Sequence, residues 1–223
     1  MNITFLLFPN LTQLDFTGPL QVLSRLPGAQ VALAAKSLAP VPTDTALTLN
    51  PTHDFKSCPP ADLLCIPGGF GIDDAMRDAA TIAFVREQAA GAKYITSVCT
   101  GAFILGAAGL LNGKKATTHW AYHDALPEVG ATPVKARYVR DGNLFTGGGV
   151  TAGIDFAFAI AAEIAGEDAA KAIQLGLEYD PAPPFHAGVP DKAAAPALAA
   201  QQARYAPRLE AFHQALAEAK ANS

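Results

Sequence analysis

The chain has 223 residues, half of them hydrophobic and only 16% charged. This length corresponds to one domain or at most two, and the apolar content excludes disorder as the main state. The net charge of −4, with no run of Lys or Arg, argues against nucleic acid as the main partner.

Neither a targeting segment nor a membrane span is predicted. The apolar run over residues 1–8 has no basic residues before it and no small-residue cleavage site after it, and it is too short to cross a bilayer. The cysteines, Cys58, Cys65 and Cys99, have irregular spacing and no CxxC pair, which is typical of a reducing cytoplasm. We therefore expect a cytoplasmic protein without a membrane partner, and the low-charge, alanine-rich surface favours a second copy as partner.

The first half of the chain alternates strand-like and helix-like segments. The predicted strands comprise residues 3–8, 31–35, 63–66 and 94–98. The predicted helices comprise residues 19–26, 78–90 and 101–111. This alternation predicts an α/β fold with a doubly wound, mostly parallel sheet and helices on both faces.

The middle of the chain differs in character. A hairpin is predicted over residues 135–145, because Asp141-Gly142-Asn143 separates two short strands. Two helices are predicted to follow, at residues 151–165 and 168–179.

The C-terminal part is predicted to be an irregular arm and a helix. Five prolines mark the arm at residues 180–196, and the helix is predicted at 207–220, with Pro207 in its first turn. We expect one α/β domain at residues 1–180. The arm and helix at 181–223 are expected to pack on that domain or on a partner subunit.

Cys99 is the strongest candidate for chemistry. A strand ends just before it and a helix begins at Gly101, so Cys99 is expected on a sharp turn at the carboxyl edge of the sheet, as in a nucleophile elbow. The helix N-terminus is expected to lower the pKa of its thiol below the free value of ~8.5. Free cysteines are often core residues, but this context favours a nucleophile. Cys65, inside a strand, and Cys58, in a loop, are predicted to be structural.

A glycine-rich turn, Pro67-Gly68-Gly69-Phe70-Gly71, follows the strand at 63–66. Its N–H groups, together with that of Thr100, are suited to a developing negative charge beside Cys99. It is not a phosphate loop, because the pattern is not GxGxxG and no Lys-Ser/Thr pair follows. The segment alone fits a structural turn as well as a functional one.

Asp15 has two interpretations. It follows the first strand, at the same sheet edge as Cys99, and lies between Leu14 and Phe16. A partly desolvated carboxylate near a thiolate has a raised pKa and suits general acid/base catalysis. Asp is equally a common helix N-cap, and the sequence leaves the two roles open.

His119 and His123 are spaced i, i+4, as in some metal sites. No HExxH motif and no fitting third ligand accompanies them. We predict no metal site, and we expect His119 to pack around Trp120 near the pocket.

Five segments together resemble the ThiJ/PfpI superfamily, whose members share a class I glutamine amidotransferase-like, flavodoxin-type fold. The resemblance covers residues 1 to about 180. The motifs are Asp-Phe-Thr-Gly-Pro at 15–19, Ile-Pro-Gly-Gly at 66–69, Ser-Val-Cys-Thr-Gly-Ala at 97–102, Ala-Gly-Leu-Leu-Asn-Gly at 108–113 and Ala-Thr-Thr-His-Trp at 116–120.

Within the superfamily, these motifs are most similar to those of members that hydrate isonitriles. The resemblance implies Cys99 as nucleophile, with Thr100 beside it and Asp15 as general acid/base. It implies addition of water to a small isonitrile through a thioimidate on Cys99, giving an N-substituted formamide, with no metal or organic cofactor and in a homodimer. The expected substrate and oxyanion pocket comprises Gly68, Gly69, Phe70, Gly101, His119 and Trp120.

This chain differs from three sister groups of the superfamily. PfpI-type peptidases have a histidine after the cysteine, where this chain has Thr100, and glyoxalase-type members usually have a glutamate in place of Asp15. AraC-type regulators of the superfamily add a helix-turn-helix domain, which we do not expect here because the sequence ends before one could fit. The alternatives are a glyoxalase- or deglycase-like enzyme, and a redox sensor or ligand-binding module in which Cys99 is oxidised to a sulfinate.

Overall fold

A seven-stranded sheet forms the centre of the fold, which a computed structural model describes for residues 1–221. The strand order is β10-β11-β7-β6-β1-β2-β5, and only the β10–β11 pair is antiparallel. Two small two-stranded sheets, β3-β4 and β8-β9, lie outside it. The strands are β1 (Asn2–Leu6), β2 (Gln30–Ala35), β3 (Val41–Pro42), β4 (Thr48–Leu49), β5 (His53–Asp54), β6 (Leu63–Ile66), β7 (Tyr94–Val98), β8 (Lys115–Ala116), β9 (Thr132–Pro133), β10 (Tyr138–Asp141) and β11 (Leu144–Gly147).

The helices form two groups that cover the sheet. In one group α1 packs on α5 and α5 on α6, and in the other α2 contacts α3, α4 and α7. The helices are α1 (Gln13–Leu23), α2 (Ile72–Arg77), α3 (Ala79–Gly91), α4 (Gly101–Ala107), α5 (Ala152–Ala165), α6 (Glu167–Gly176) and α7 (Ala195–Ala221). Two 3-10 helices complete the set, at Trp120–Val129 and Pro190–Lys192. The predicted doubly wound, mostly parallel architecture is confirmed.

The two central strands β6 and β7 have the predicted bounds. All four residues of β6 are buried, and β7 is buried from Ile95 onward. Continuous apolar runs of this kind are typical of a parallel strand covered on both faces. Helix α3 also begins where expected, since the Asp78 side chain accepts a hydrogen bond from the Thr81 N–H at 3.2 Å as its N-cap.

Helix α1 begins at Gln13, six residues before the predicted start at Pro19. Pro19 therefore lies inside the helix, and Asp15 lies in its first turn. The N-cap residue is Thr12, which makes no side-chain capping bond. Because Asp15 has helical neighbours on both sides, the prediction that it caps or flanks a helix starting at Pro19 is wrong.

Helix α4 ends at Ala107, four residues before the predicted end at residue 111. Gly109 has a φ of 79°, and this left-handed backbone ends the helical path before Asn112-Gly113. In the predicted hairpin, Gly142 has a φ of 66° and joins β10 to β11, which continues two residues beyond the predicted end.

Helix α7 begins twelve residues earlier than predicted and contains Pro207. The missing proline N–H removes one helical hydrogen bond, whereas the alanine-rich stretch before it has high helix propensity. The helix packs on α2 and α4 through Phe212, Ala215 and Leu216, which are fully buried. Only part of the predicted arm, residues 180–194, is therefore irregular, and Asn222 and Ser223 lie outside the described residues.

Over residues 1–221, no helix combines the length and the hydropathy needed to span a membrane.

Candidate active site

The turn between β7 and α4 places Cys99 at the carboxyl edge of the sheet. Cys99 has a φ of 56°, a left-handed conformation that is uncommon for a residue with a side chain. Its N–H donates to the carbonyls of Gly147 at 3.1 Å and Gly148 at 2.9 Å, and its carbonyl accepts from Thr118 Oγ1 at 2.7 Å. These bonds hold the strained turn from two neighbouring segments, and the predicted cysteine elbow is confirmed.

Two glycines allow the elbow to pack closely on the loop after β6. A Cβ at Gly101 would lie 2.3 Å from the carbonyl oxygen of Ile66, and a Cβ at Gly68 would lie 2.5 Å from the Thr100 nitrogen and 2.9 Å from Asp15 Oδ2. Gly101 therefore serves close packing between the helix and the strand. Gly68 serves the close approach of the loop to Asp15 and Thr100.

Asp15 is fully buried and interacts with the Cys99 thiol. Its Oδ2 accepts a hydrogen bond from the Gly68 N–H at 3.0 Å, and among the described residues no well-aligned donor reaches Oδ1. Burial raises the pKa of Asp15 from 3.8 to about 8, although the bond from Gly68 acts in the opposite direction. The carboxyl is therefore bound across the sheet edge, to a different segment, instead of capping its own helix.

The Cys99 thiol is also protonated at neutral pH. Burial raises its pKa well above the ordinary value, and the nearby charge of Asp15 raises it further. The backbone N–H and the side chain of Thr100 both hydrogen-bond the sulfur and lower its pKa, but their effect is smaller. The expected lowering of the thiol pKa is therefore wrong, because desolvation outweighs the start of the short helix α4.

The glycine loop holds the other two candidate groups in place. Gly68 donates its N–H to Asp15, and Gly69 donates its N–H to Thr100 Oγ1 at 3.0 Å. Both N–H groups therefore donate to partners inside the protein. The predicted role of these groups in binding an oxyanion is wrong, because neither is free to donate to one. The loop instead fixes the Asp15 carboxyl and the Thr100 hydroxyl.

A cavity of about 200 Å³ lies beside Cys99. It brings together four of the predicted residues besides Cys99, namely Gly69, Phe70, Thr100 and His119, and two that the sequence analysis missed, Tyr122 and Tyr205. Trp120 instead borders a larger neighbouring cavity of about 580 Å³, which His119 also lines. Cys99 and Thr100 thus share one small cavity, which the fully buried Asp15 does not border, and His119 lines both this cavity and the larger one.

Helix α7 supplies one side of this cavity. The ring of Tyr205 lies 5.3 Å from that of His119, 5.6 Å from that of Trp120 and 6.1 Å from that of Tyr122, measured between centroids. One turn later, the Arg208 guanidinium lies 3.8 Å above the centre of the Phe70 ring and donates to the Phe70 carbonyl at 3.2 Å. The C-terminal helix is therefore part of the site.

His119 is neutral at physiological pH. Burial lowers its pKa to about 4, and its Nδ1 accepts the N–H of Ala121 at 3.3 Å, which caps the 3-10 helix. Since Nδ1 accepts, the proton of the neutral ring is on Nε2. The neighbouring His123 is buried, and across residues 1–221 no group of three or more His, Cys, Asp or Glu side chains is placed to hold a metal ion.

The other two cysteines lie apart from this chemistry. Cys65 is fully buried inside β6, and burial raises the pKa of its thiol to about 12. Cys58 is partly buried beside Thr4 Oγ1, 3.8 Å from its sulfur. Neither borders the cavity beside Cys99.

Comparison with known proteins gives this geometry a context. Residues 1–163 match the DJ-1/PfpI family. The chain is 57% identical over 210 residues to an isonitrile hydratase of Pseudomonas putida, covering 94% of this chain and 92% of that protein. It is also 26% identical over 182 residues to the protein dj-1beta of Drosophila melanogaster, covering 77% of this chain and 94% of that one.

A solved structure gives the same result for the fold. A ThiJ/PfpI family protein from Pseudomonas syringae superposes with a TM-score of 0.93 at 46% identity, covering 98% of this chain and 90% of that one. The match includes helix α7, because it spans nearly all of the chain. The cysteine elbow, the parallel sheet and these similarities agree, and the chain belongs to the DJ-1/PfpI family.

Proposed function

We propose that this chain is an isonitrile hydratase, which adds water to R–N≡C and releases an N-substituted formamide. The observation that carries the proposal is the buried pair of Cys99 and Asp15, beside a small cavity, in a chain similar over nearly its whole length to an isonitrile hydratase. The pair joins a nucleophile to a proton carrier, and isonitrile hydration requires both at one carbon atom.

The isonitrile suits the restricted space at the sulfur. Asp15 is fully buried and Cys99 is only 7% exposed, so little of either side chain is accessible to a reacting atom. The terminal carbon of R–N≡C has no substituent and lies at the end of a linear group. It is therefore able to approach the sulfur end-on while R stays in the cavity.

In the first step, the Cys99–Asp15 pair carries one proton, which the Asp15 carboxylate takes from the thiol so that the sulfur becomes a thiolate. The sulfur attacks the terminal carbon, Asp15 transfers its proton to that carbon, and the carbon–nitrogen triple bond becomes a double bond. The product is the thioimidate R–N=CH–S on Cys99, and Asp15 is left as a carboxylate.

In the second step, Asp15 takes a proton from water as the water oxygen attacks the thioimidate carbon, and it passes that proton to the nitrogen. The tetrahedral adduct R–NH–CH(OH)–S then collapses. The hydroxyl proton goes to Asp15, the carbon–sulfur bond breaks, and the formamide R–NH–CHO leaves. Cys99 is again a thiolate and Asp15 is again protonated, so the cycle closes with one water consumed.

Thr100 has a supporting role in this scheme. Its backbone N–H and side chain hydrogen-bond the Cys99 sulfur, and its Oγ1 is fixed by the Gly69 N–H at 3.0 Å. Hydrogen bonds to a thiolate stabilise it relative to the thiol. Thr100 therefore favours the thiolate both before attack and when the carbon–sulfur bond breaks.

The alternatives fit the site less well. A peptidase-type acyl transfer uses a Cys–His pair, and Thr100 follows Cys99 here. A redox sensor needs a thiol with thiolate character and access to solvent, whereas Cys99 is buried with a raised pKa. A deglycase-like activity on small aldehydes is the alternative to be tested beside isonitrile hydration.

A homodimer in the cytoplasm is part of the proposal. Leu175, Phe185 and Val189 are 82%, 79% and 48% exposed, and they occupy α6 and the irregular segment after it. Exposed apolar side chains that form a patch mark a protein contact, and we propose this part of the surface as the contact between two copies. The three cysteines are free, which fits a reducing compartment.

The direct test is an assay of the purified protein with cyclohexyl isocyanide and with methylglyoxal in parallel. We expect formation of N-cyclohexylformamide, followed by proton NMR, and no consumption of methylglyoxal above the rate of a Cys99→Ala control. Turnover of methylglyoxal without turnover of the isonitrile would overturn the proposal.

A further inference from the structure

None of the proposed reaction steps uses the residues of helix α7 that line the cavity. We infer that Tyr205 is a specificity-determining residue that limits the size of the substituent R on the isonitrile, an inference that rests on the proposed function. Tyr205 lies 106 positions after Cys99 in the chain, yet both border the same cavity.

The shape of the substrate determines where R lies. R–N≡C is linear, and its carbon must reach the Cys99 sulfur, so R extends away from the sulfur into the cavity. The polar groups of the reaction, Asp15 and Thr100, belong to α1 and to the elbow. Rings from Tyr122, Tyr205 and His119 remain as walls for R.

Tyr205 borders the cavity that also contains the Cys99 sulfur, and it packs against these rings. Burial raises the pKa of the Tyr205 and Tyr122 hydroxyls, and negative charge on the Cys99 sulfur raises both further. The Tyr205 ring meets those of Trp120 and Tyr122 edge to face, at 82° and 81°. Such packing fixes the ring plane and leaves it little room to withdraw.

Helix α7 is held firmly enough to make Tyr205 a wall. Phe212 packs edge to face on Phe103 at 4.7 Å and on Tyr122 at 4.9 Å. Arg77 forms an ion pair with Glu218 of the helix at 2.6 Å. His213 of the helix lies 2.9 Å from Glu128 and forms an ion pair with it when the imidazole is charged. A rigid wall excludes a substituent that is too large, whereas a mobile one adapts to it.

The test compares kcat/KM for a compact and a bulky isonitrile, cyclohexyl isocyanide and 1-naphthyl isocyanide. We expect Tyr205→Ala to raise the ratio of bulky to compact kcat/KM by about tenfold or more, within the range of discrimination by an apolar pocket. Tyr205→Trp, which enlarges the wall, is expected to lower the same ratio. Tyr205→Phe keeps the ring and is expected to keep the wild-type ratio.

Leu209→Ala is the matched control. Leu209 lies one turn after Tyr205 and is also partly buried against the core, but it does not border the cavity. It therefore loosens the packing of α7 without changing the wall, and its ratio is expected to equal that of the wild type.

Three outcomes would overturn the inference while leaving the proposed function intact. They are a ratio unchanged in both Tyr205→Ala and Tyr205→Trp, a shift in the same direction in both, and an equal shift in Leu209→Ala. If Tyr205→Ala does not fold, as judged by its thermal transition, Tyr205→Trp still decides the question. Absence of turnover of either isonitrile by the wild type would instead refute the proposed function.

Discussion

The buried carboxyl of Asp15 interacts with the Cys99 thiol, and its charge raises the pKa of that thiol beyond the effect of burial. At neutral pH both groups therefore carry a proton, although the attacking form of the pair carries only one. The first proton to leave the pair is governed by Asp15, whose pKa is about 8.

Activity is therefore expected to rise with pH. Below the Asp15 pKa of about 8, kcat/KM should increase about tenfold per pH unit and then level off, because one proton must leave the free enzyme. Isonitriles do not titrate in this range, so the profile reports on the protein. Steady-state kinetics across this interval provide the test, and a profile that is flat or that falls with pH would contradict the shared-proton pair.

Substitution of Asp15 separates chemistry from packing. Asp15→Asn keeps the shape and an acceptor for Gly68, but an amide cannot donate and recover a proton near neutral pH, so we expect kcat to fall by about 10²–10⁴-fold. Asp15→Glu keeps the acid but displaces it, with an expected loss of about 10²-fold or less. Near-wild-type kcat in Asp15→Asn would assign the proton transfer to another group.

Asp15→Asn is expected to lower activity but to raise stability relative to the wild type, by an amount that depends on pH. The folded protein holds the Asp15 proton up to a pKa of about 8 and the unfolded chain only up to 3.8, so wild-type stability falls as pH rises between these values. Asp15→Asn lacks this loss. The free energy of unfolding of Asp15→Asn, relative to that of the wild type, should therefore increase by up to ~1.4 kcal/mol per pH unit. Urea titrations at several pH values measure this difference. A difference independent of pH would mean that the carboxyl is charged when folded.

Cys99 and Cys65 are expected to respond differently to alanine substitution. Cys99→Ala removes the nucleophile and should abolish turnover while the protein stays folded. Cys65→Ala leaves a void inside β6 and should cost about 1 kcal/mol of stability with little effect on kcat. Kinetics and denaturant unfolding on both variants provide the measurement. Retained activity in Cys99→Ala would exclude the thioimidate.

Gly68→Ala tests whether the loop after β6 positions the reacting groups. The added Cβ would lie within 3 Å of both Thr100 and Asp15, so kcat should fall by at least about 10²-fold as these groups move apart. Gly91→Ala, at the end of α3, is the control, since a Cβ there meets nothing within 4 Å. Equal activity of the two variants would show that the loop does not position Asp15 and Thr100.

Static light scattering tests the proposed dimer. We expect twice the chain mass of 23.1 kDa at micromolar concentration, and we expect Phe185→Asp to shift the protein toward the monomer, because it replaces an exposed apolar side chain of the proposed contact with a charge. A monomer mass for the wild type would refute the dimer. Unchanged mass in Phe185→Asp would move the interface elsewhere on the surface.

The parts of the fold that the sequence predicts well are those set by local patterns. The bounds of β6 and β7 follow from short apolar runs, and Cys99 is recognisable because a strand and a helix meet at one residue. The start of α7 is not predicted, because Pro207 marks a helix start by local rules although twelve helical residues precede it. The high helix propensity of the alanine-rich stretch before Pro207 indicates the earlier start of the helix.

The sequence does not predict that Tyr122 and Tyr205 line the cavity beside Cys99. Their place at the cavity depends on how the 3-10 helix and α7 pack on the domain, and no local pattern marks either residue. The hydrogen bonds of Gly68 and Gly69 to Asp15 and Thr100 are likewise tertiary contacts. Sequence patterns therefore identify the reacting groups, whereas the surfaces that surround the substrate require the three-dimensional structure.

The left-handed backbone of Cys99 has a consequence for how this position evolves. A non-glycine residue in a sparsely populated backbone conformation costs about 1–3 kcal/mol, so selection for stability alone would favour glycine at this turn. Glycine would relieve the strain and remove the nucleophile in a single substitution. We therefore expect a cysteine at φ 56° to be kept where activity is under selection, and relatives that have lost the reaction should tend toward glycine there.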